Sequence, residues 1–236
     1  MVVWLYSYPR SGNTLLRILT HSYFGLDTYS VHSTTNEGDK EFNREGTAKF
    51  MGQKPIPGTW EECQASDDVF LVKTHALPPD YGKVVHLHRD GRDALVSYAH
   101  YYMKYILPEK NKLLYKLKGK PTDVSAAITY FLPKKEDSWS DHAKAVKTLS
   151  NPILELRYQD LVDQPDESMA LLAEFIGINQ DAGHAKPPTF EELNASSPGF
   201  FRKGASGSWK DEMTDAQHEL FWQYHGDVMR ELGYER

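Results

Sequence analysis

Residues 2–6 read Val-Val-Trp-Leu-Tyr, an apolar run with no polar position to mark a solvent face. Such a strand must be covered on both sides, the situation of a strand inside a parallel sheet. Ser7–Gly12 is turn chemistry, and Asn13–Phe24 sets Leu15, Leu16, Ile18, Leu19 and Tyr23 on a broad apolar helical face. The chain therefore opens as strand, glycine-containing loop and helix. Val69–Lys73, Lys83–Leu87 and Pro152–Leu156 are further short strand-like runs. Asp90–Tyr102, Thr122–Phe131, Ser138–Leu149 and Ser168–Ile176 read as helices, with Gly177 as the C-cap of the last. A short turn is expected at Phe190–Leu193, and Thr214 is the expected N-cap of a final helix reaching Leu232. Asp27–Asp68 is polar and irregular, as a functional or mobile loop would be. Strands alternating with helices predict an α/β fold, a single domain over residues 1–236 with a central, mostly parallel sheet flanked by helices.

Composition removes several classes. The chain has 236 residues, enough to bury a full core, and 12% of them are aromatic, too many for a disordered chain. Its 27 Lys and Arg against 33 Asp and Glu leave a net charge of −6, a poor match to a protein that coats nucleic acid with its whole surface. Cys63 is the single cysteine, so there is no internal disulfide and no cysteine-rich metal site. That fits a reducing compartment. No apolar run approaches the roughly 18 residues of a membrane helix. The first ten residues lack a signal-peptide pattern, so the expectation is a cytoplasmic protein without stable membrane insertion.

Three segments carry chemistry. Tyr8-Pro-Arg-Ser-Gly-Asn-Thr14 joins the first strand to the first helix, a P-loop-like phosphate-binding arrangement. Backbone N–H groups at a helix start bind anions, and Gly12 lets the backbone come close to an oxyanion. Ser11, Asn13 and Thr14 add side-chain donors and Arg10 adds charge. An ordinary strand-to-helix turn would look similar, and the Gly-Lys-Ser/Thr ending of a nucleotide P-loop is missing. His88-Arg-Asp-Gly-Arg-Asp-Ala-Leu-Val-Ser97 also leaves a strand and opens a helix, with Arg89 at the strand end and Ser97 two turns into the helix. Its His-Arg-Asp letters suggest a protein kinase, but Leu95 stands where the kinase loop needs Asn. Arg92 and Asp93 are expected on a solvated helix face. Phe200-Phe-Arg-Lys-Gly-Ala-Ser-Gly-Ser-Trp-Lys210 combines two adjacent cations, glycines and aromatics, suited to wrapping a phosphate and stacking on a base.

Together and in order, the three segments resemble the sulfotransferases that use 3′-phosphoadenosine 5′-phosphosulfate (PAPS). The first is similar to their 5′-phosphosulfate loop and the second to their 3′-phosphate motif. The third, Arg202 to Lys210, matches their R-K-G-x-x-G-x-W-K signature. The resemblance implies that Arg10, Ser11, Gly12, Asn13, Thr14, Arg89, Ser97, Phe200, Phe201, Arg202, Lys203 and Gly204 bind the donor. Val72-Lys-Thr-His-Ala-Leu-Pro78 resembles the family's K-T-H-x-x-P stretch, which implies His75 as general base with Lys73 beside it. A histidine is suited to that task because its unperturbed pKa is near neutrality. His86 and His88 share one strand face and are expected to be packing residues. Arg157-Tyr-Gln-Asp160 and Pro188-Thr-Phe190 resemble segments that set Tyr158, Thr189 and Phe190 about the adenine; core packing is the competing expectation. The chain departs from animal cytosolic members in having Arg10 for Lys, Leu15 for an aromatic wall residue and Asp215 for a Val of their dimer segment.

The implied reaction is in-line sulfuryl transfer from PAPS to the hydroxyl of a small-molecule acceptor, or less readily an amine, with adenosine 3′,5′-bisphosphate (PAP) as product. His75 would accept the proton, and Arg10 would stabilise the leaving oxygen. No metal is expected to be needed, because cationic side chains and backbone donors take its place, and no nucleic-acid partner is expected. Acceptor determinants are expected in Asp27–Asp68 and in the aromatic and lysine-rich Tyr101–Lys135. The competing readings are a P-loop kinase or NTPase, which would need magnesium, and a non-catalytic nucleotide-binding module, which would need no base.

Overall fold

The computed structural model describes residues 1–31, 45–107, 119, 121–133, 138–179, 186–196, 201, 204 and 206–236. The chain divides into two compact units. The first comprises Met1–Ser7, Ser11–His88 and Leu149–Gly204; the second comprises Tyr8–Arg10, Arg89–Thr148 and Ala205–Arg236.

Among the described residues the first unit contains five strands: β1 (Val2–Ser7), β2 (Thr28–Ser30), β3 (Phe70–Thr74), β4 (Lys83–His88) and β5 (Ile153–Arg157). Their order is β2-β3-β1-β4-β5, and every pairing is parallel. β1 lies at the centre with all six residues buried, which is why its sequence shows no polar alternation. Val3, Leu5, Leu71, Val85 and Leu87 pack on one face against Leu16 and Leu19 of α1 (Asn13–Phe24) and against Met169, Leu172 and Ile176 of a later helix, Pro165–Ile176. On the other face Trp4 meets Trp60 edge-on at 5.5 Å, and Tyr6 lies 5.8 Å from His86. β3 and β4 flank β1 on opposite sides, so the chain turns in opposite directions beyond the carboxyl end of β1. Parallel sheets bind ligands at such a switch point.

Asp27–Asp68 departs from its expected irregularity. β2 forms the sheet edge, and α2 (Glu45–Ala48) and α3 (Trp60–Ala65) follow. A three-residue strand is too short to show periodicity, but α3 carries a legible start signal. Thr59 accepts from the Glu62 N–H, and the Glu62 carboxylate accepts from the Thr59 N–H, forming a capping box. β5 and the helix behind it are each displaced from expectation. β5 runs one residue further, α7 (Tyr158–Asp163) follows it directly, and α8 (Pro165–Ile176) begins earlier than expected, with Pro165 in its first turn.

The second unit is helical. It contains α4 (Gly91–Tyr101), a π-helical turn (Tyr102–Ile106), α5 (Val124–Phe131), α6 (Trp139–Ala145), α10 (Trp209–Glu212) and α11 (Asp215–Glu231); α9 (Phe190–Ser196) belongs to the first unit. Its core gathers Leu95, Ala99, Ile128, Leu132, Trp139, Phe221 and Met229. Thr214 caps α11 as the sequence predicts, in a capping box with Gln217. Among the described residues, no helix is long and apolar enough to cross a membrane.

Candidate active site

In the first unit the candidate residues follow the ends of β1 and β3. Gly12 is the N-cap of α1 at φ +103°, a conformation that only glycine adopts without strain, and its carbonyl accepts from the Leu16 N–H at 3.0 Å. A Cβ placed on it would lie 2.3 Å from Cδ2 of Tyr158. Tyr158, expected at the adenine, is buried against this glycine. The Ser11 hydroxyl is buried and has no hydrogen-bond partner, an unsatisfied polar group at the start of α1. Asn13 differs from expectation. Its side-chain amide turns inward and donates to the Leu5 carbonyl at 2.8 Å and to Ser7 Oγ at 3.0 Å. Both N–H bonds of that amide are thereby committed to the strand end, leaving the backbone N–H of Asn13 as its contribution to an anion site. Thr14 is half-buried in the first turn.

His75 follows β3. Its Nδ1 lies 2.6 Å from the carbonyl oxygen of Ser7. A carbonyl only accepts, so Nδ1 carries the proton and the Nε2 lone pair is the basic one. Lys73 is buried on β3, in register with Leu5 and Ser30. His86 and His88 are buried packing residues with rings 5.6 Å apart, and burial pushes His88 down to about 4.

Thr189 accepts from the Glu192 N–H at the start of α9, and its own N–H donates to the Glu192 carboxylate at 2.7 Å. The Phe190 ring covers Gly204, where a Cβ would come within 2.6 Å of it. Phe201 packs against Ile18, Met51 and Leu193. Leu15, at the position of the family's aromatic wall, packs against the sheet core. Phe200, Arg202 and Lys203 lie outside the described residues.

In the second unit Arg10, Arg89 and Ser97 come together. Arg10 Nε donates to Ser97 Oγ at 3.2 Å, and Arg89 Nη1 donates to the Arg10 carbonyl at 3.3 Å. The Arg10 guanidinium also sits 5.2 Å from the centre of the Tyr101 ring. Arg10 has φ +68°, the one described non-glycine residue in the left-handed region. Strain of this kind, about 1–3 kcal/mol, collects at functional positions. Tyr8, Tyr98, Tyr101, Tyr105 and Phe131 form a chain of ring contacts between 5.0 and 6.4 Å beside Arg10.

Arg92 and Asp93 are a correction. They are not on a solvated face: Arg92 is 4% and Asp93 0% exposed. Arg92 pairs with Asp90 and stacks on Trp209 at 3.9 Å, while Asp93 accepts from the signature segment at Gly207, Ser208 and Trp209. The missed signal was the spacing of Asp93 and Ser97, four residues apart and so on one face of the helix. Among the described residues, no group of three or more His, Cys, Asp and Glu could hold a metal ion.

The chain as a whole is similar to known proteins. The chain is 25% identical over 259 residues to Cytosolic sulfotransferase 1 of Danio rerio, covering 95% of this chain and 81% of that protein. In fold it is similar to mouse sulfotransferase SULT7A1 solved with PAP, at a TM-score of 0.66 and 20% identity over 98% of this chain and 87% of that one. A retinol dehydratase solved with retinol and PAP gives a TM-score of 0.61 and 19% identity, over 100% of this chain and 83% of its own. The family model Sulfotransferase domain matches residues 2–233, nearly the whole chain, and with the strand-loop-helix opening and the motif order it establishes that the chain belongs to the sulfotransferase domain family.

Proposed function

We propose that this sulfotransferase moves a sulfuryl group from PAPS to the hydroxyl of a small-molecule acceptor and releases PAP. The observation that carries the reading is the bond from His75 Nδ1 to the Ser7 carbonyl. It holds the imidazole as the tautomer whose Nε2 can take a proton from an acceptor hydroxyl. The buried, unsatisfied Ser11 hydroxyl and the N–H groups of Gly12, Asn13 and Thr14 fit a bound phosphate group, which supports a phosphate-bearing donor.

When bound, PAPS supplies an activated sulfuryl group on a phosphate leaving group. His75 then receives the acceptor proton at Nε2 as the hydroxyl attacks. Arg10 and the backbone donors of Ser11–Thr14 stabilise charge growing on the phosphate oxygen, the part that magnesium plays in phosphoryl transfer. Lys73 adds positive charge beside the base. Arg89, Ser97, Arg202, Lys203 and Gly204 would bind the 3′-phosphate, and Thr189, Phe190, Phe200, Phe201 and Tyr158 would serve the adenine. The aromatic cluster of Tyr98, Tyr101 and Phe131 supports an acceptor with apolar surface. A buried lone Cys63 supports a reducing, cytoplasmic setting.

PAP should raise the melting temperature well above the effect of ATP at equal concentration; equal shifts would overturn the donor. His75→Ala should cut turnover by roughly 10²–10⁴-fold with PAP binding retained. Turnover near wild type would remove the base.

A further inference from the structure

The Arg202–Lys210 signature needs a fixed point, and its described half has one. The Gly207 N–H donates to Asp93 Oδ2 at 2.6 Å, and the Ser208 hydroxyl and Trp209 N–H each donate to Asp93 Oδ1 at 3.1 Å. Three consecutive residues of the signature thus close on one carboxylate with no solvent exposure. The Trp209 ring is held as well, by the Arg92 guanidinium at 3.9 Å and by the His218 ring, stacked at 4.8 Å and 9°. Burying a carboxylate is costly unless charge-assisted hydrogen bonds compensate, and here the signature backbone supplies them.

Asp93 stands one helical turn before Ser97, whose hydroxyl accepts from Arg10, while Arg89, which donates to the Arg10 carbonyl, lies just before the helix. The helix that carries Ser97, and that opens just beyond Arg89, therefore also carries the anchor of the glycine-rich signature. We propose that Asp93 is a positioning residue for the donor's 3′-phosphate: it docks Gly207–Trp209, the end of the signature, onto α4, the helix that carries Ser97. This rests on the donor reading above. Asp93 touches no ligand in this account. It acts by raising the fraction of molecules in which the signature segment is seated, and apparent affinity scales with that fraction.

The consequence is selective. An anchor for the 3′-phosphate element should matter to PAP, which carries that phosphate, and little to 5′-AMP, which lacks it. Asp93→Asn keeps the shape but turns one acceptor oxygen into an N–H donor facing N–H donors. By titration calorimetry on the full chain, this variant should bind PAP at least tenfold more weakly than wild type and 5′-AMP within twofold. Ser208→Ala keeps the carboxylate and removes one of its three bonds. It should weaken PAP about threefold and leave 5′-AMP unchanged, and it decides the matter if Asp93→Asn does not fold. Equal weakening of both ligands, or of neither, would overturn the proposal and leave Asp93 a general packing residue. Wild-type protein that binds PAP no better than 5′-AMP would overturn the donor reading itself, and this proposal with it.

Discussion

Substituting Gly12 by alanine tests the phosphate loop directly, because two separable costs meet there. At φ +103° a side chain is strained, by about 1–3 kcal/mol. The new Cβ would also lie 2.3 Å from Tyr158 Cδ2, where ordinary contacts are wider than 3.4 Å, so the ring must move by about an ångström. Tyr158 is 8% exposed and cannot swing freely into solvent, and overpacking of this kind costs about 1–3 kcal/mol. Gly12→Ala should therefore destabilise by about 2–6 kcal/mol in all, lowering Tm by roughly 5–20 °C for a chain of this size. Thermal and urea unfolding measure the total, and a double-mutant cycle with Tyr158→Ala separates the parts. Removing the ring should relieve the steric share, giving about 1–3 kcal/mol of non-additivity, while the backbone share persists. A melting temperature within about 2 °C of wild type would refute the strain argument. Effects that add within about 0.5 kcal/mol would refute the Tyr158 contact as a source.

Arg10→Gly keeps the positive φ that Arg10 holds at +68° and discards the guanidinium. Melting temperature should stay within a few degrees of wild type while turnover falls at least about a hundredfold; unchanged kinetics would remove Arg10 from the reaction. His88 supplies a pH test. Its folded-state value is pushed down to about 4 from an ordinary 6.5 by burial first and the neighbouring His86 second, so between those values the unfolded chain binds more protons. Stability should thus fall as pH drops from about 6.5 towards about 4, by up to about 3 kcal/mol from this group, and His88→Asn should flatten the slope seen in urea unfolding at pH 7 and pH 5. An unchanged slope would assign the acid sensitivity elsewhere.

Much of the fold was legible because its signals are local. The unbroken apolar run at Val2–Tyr6, the glycine turn at Gly12 and the amphipathic Asn13–Phe24 each follow from neighbours in the chain, and so does the cap at Thr214; the Thr59 capping box is as local a signal but lies in a segment expected to be irregular. The order of the three motifs likewise identified the family and the residues expected to do its chemistry. What local pattern could not decide was where a side chain points. Asn13 reads as a donor to a ligand but spends its amide on Leu5 and Ser7, and Asp93 reads as a solvated helix residue but is a buried acceptor for three residues far along the chain. The all-parallel order β2-β3-β1-β4-β5 and the tautomer of His75 are also tertiary outcomes. Each depends on partners distant in sequence, whose approach is set by packing of the whole core. The residue types that can do the chemistry are thus written in the chain, while their tautomers, partners and orientations are fixed only when buried polar groups must find one another.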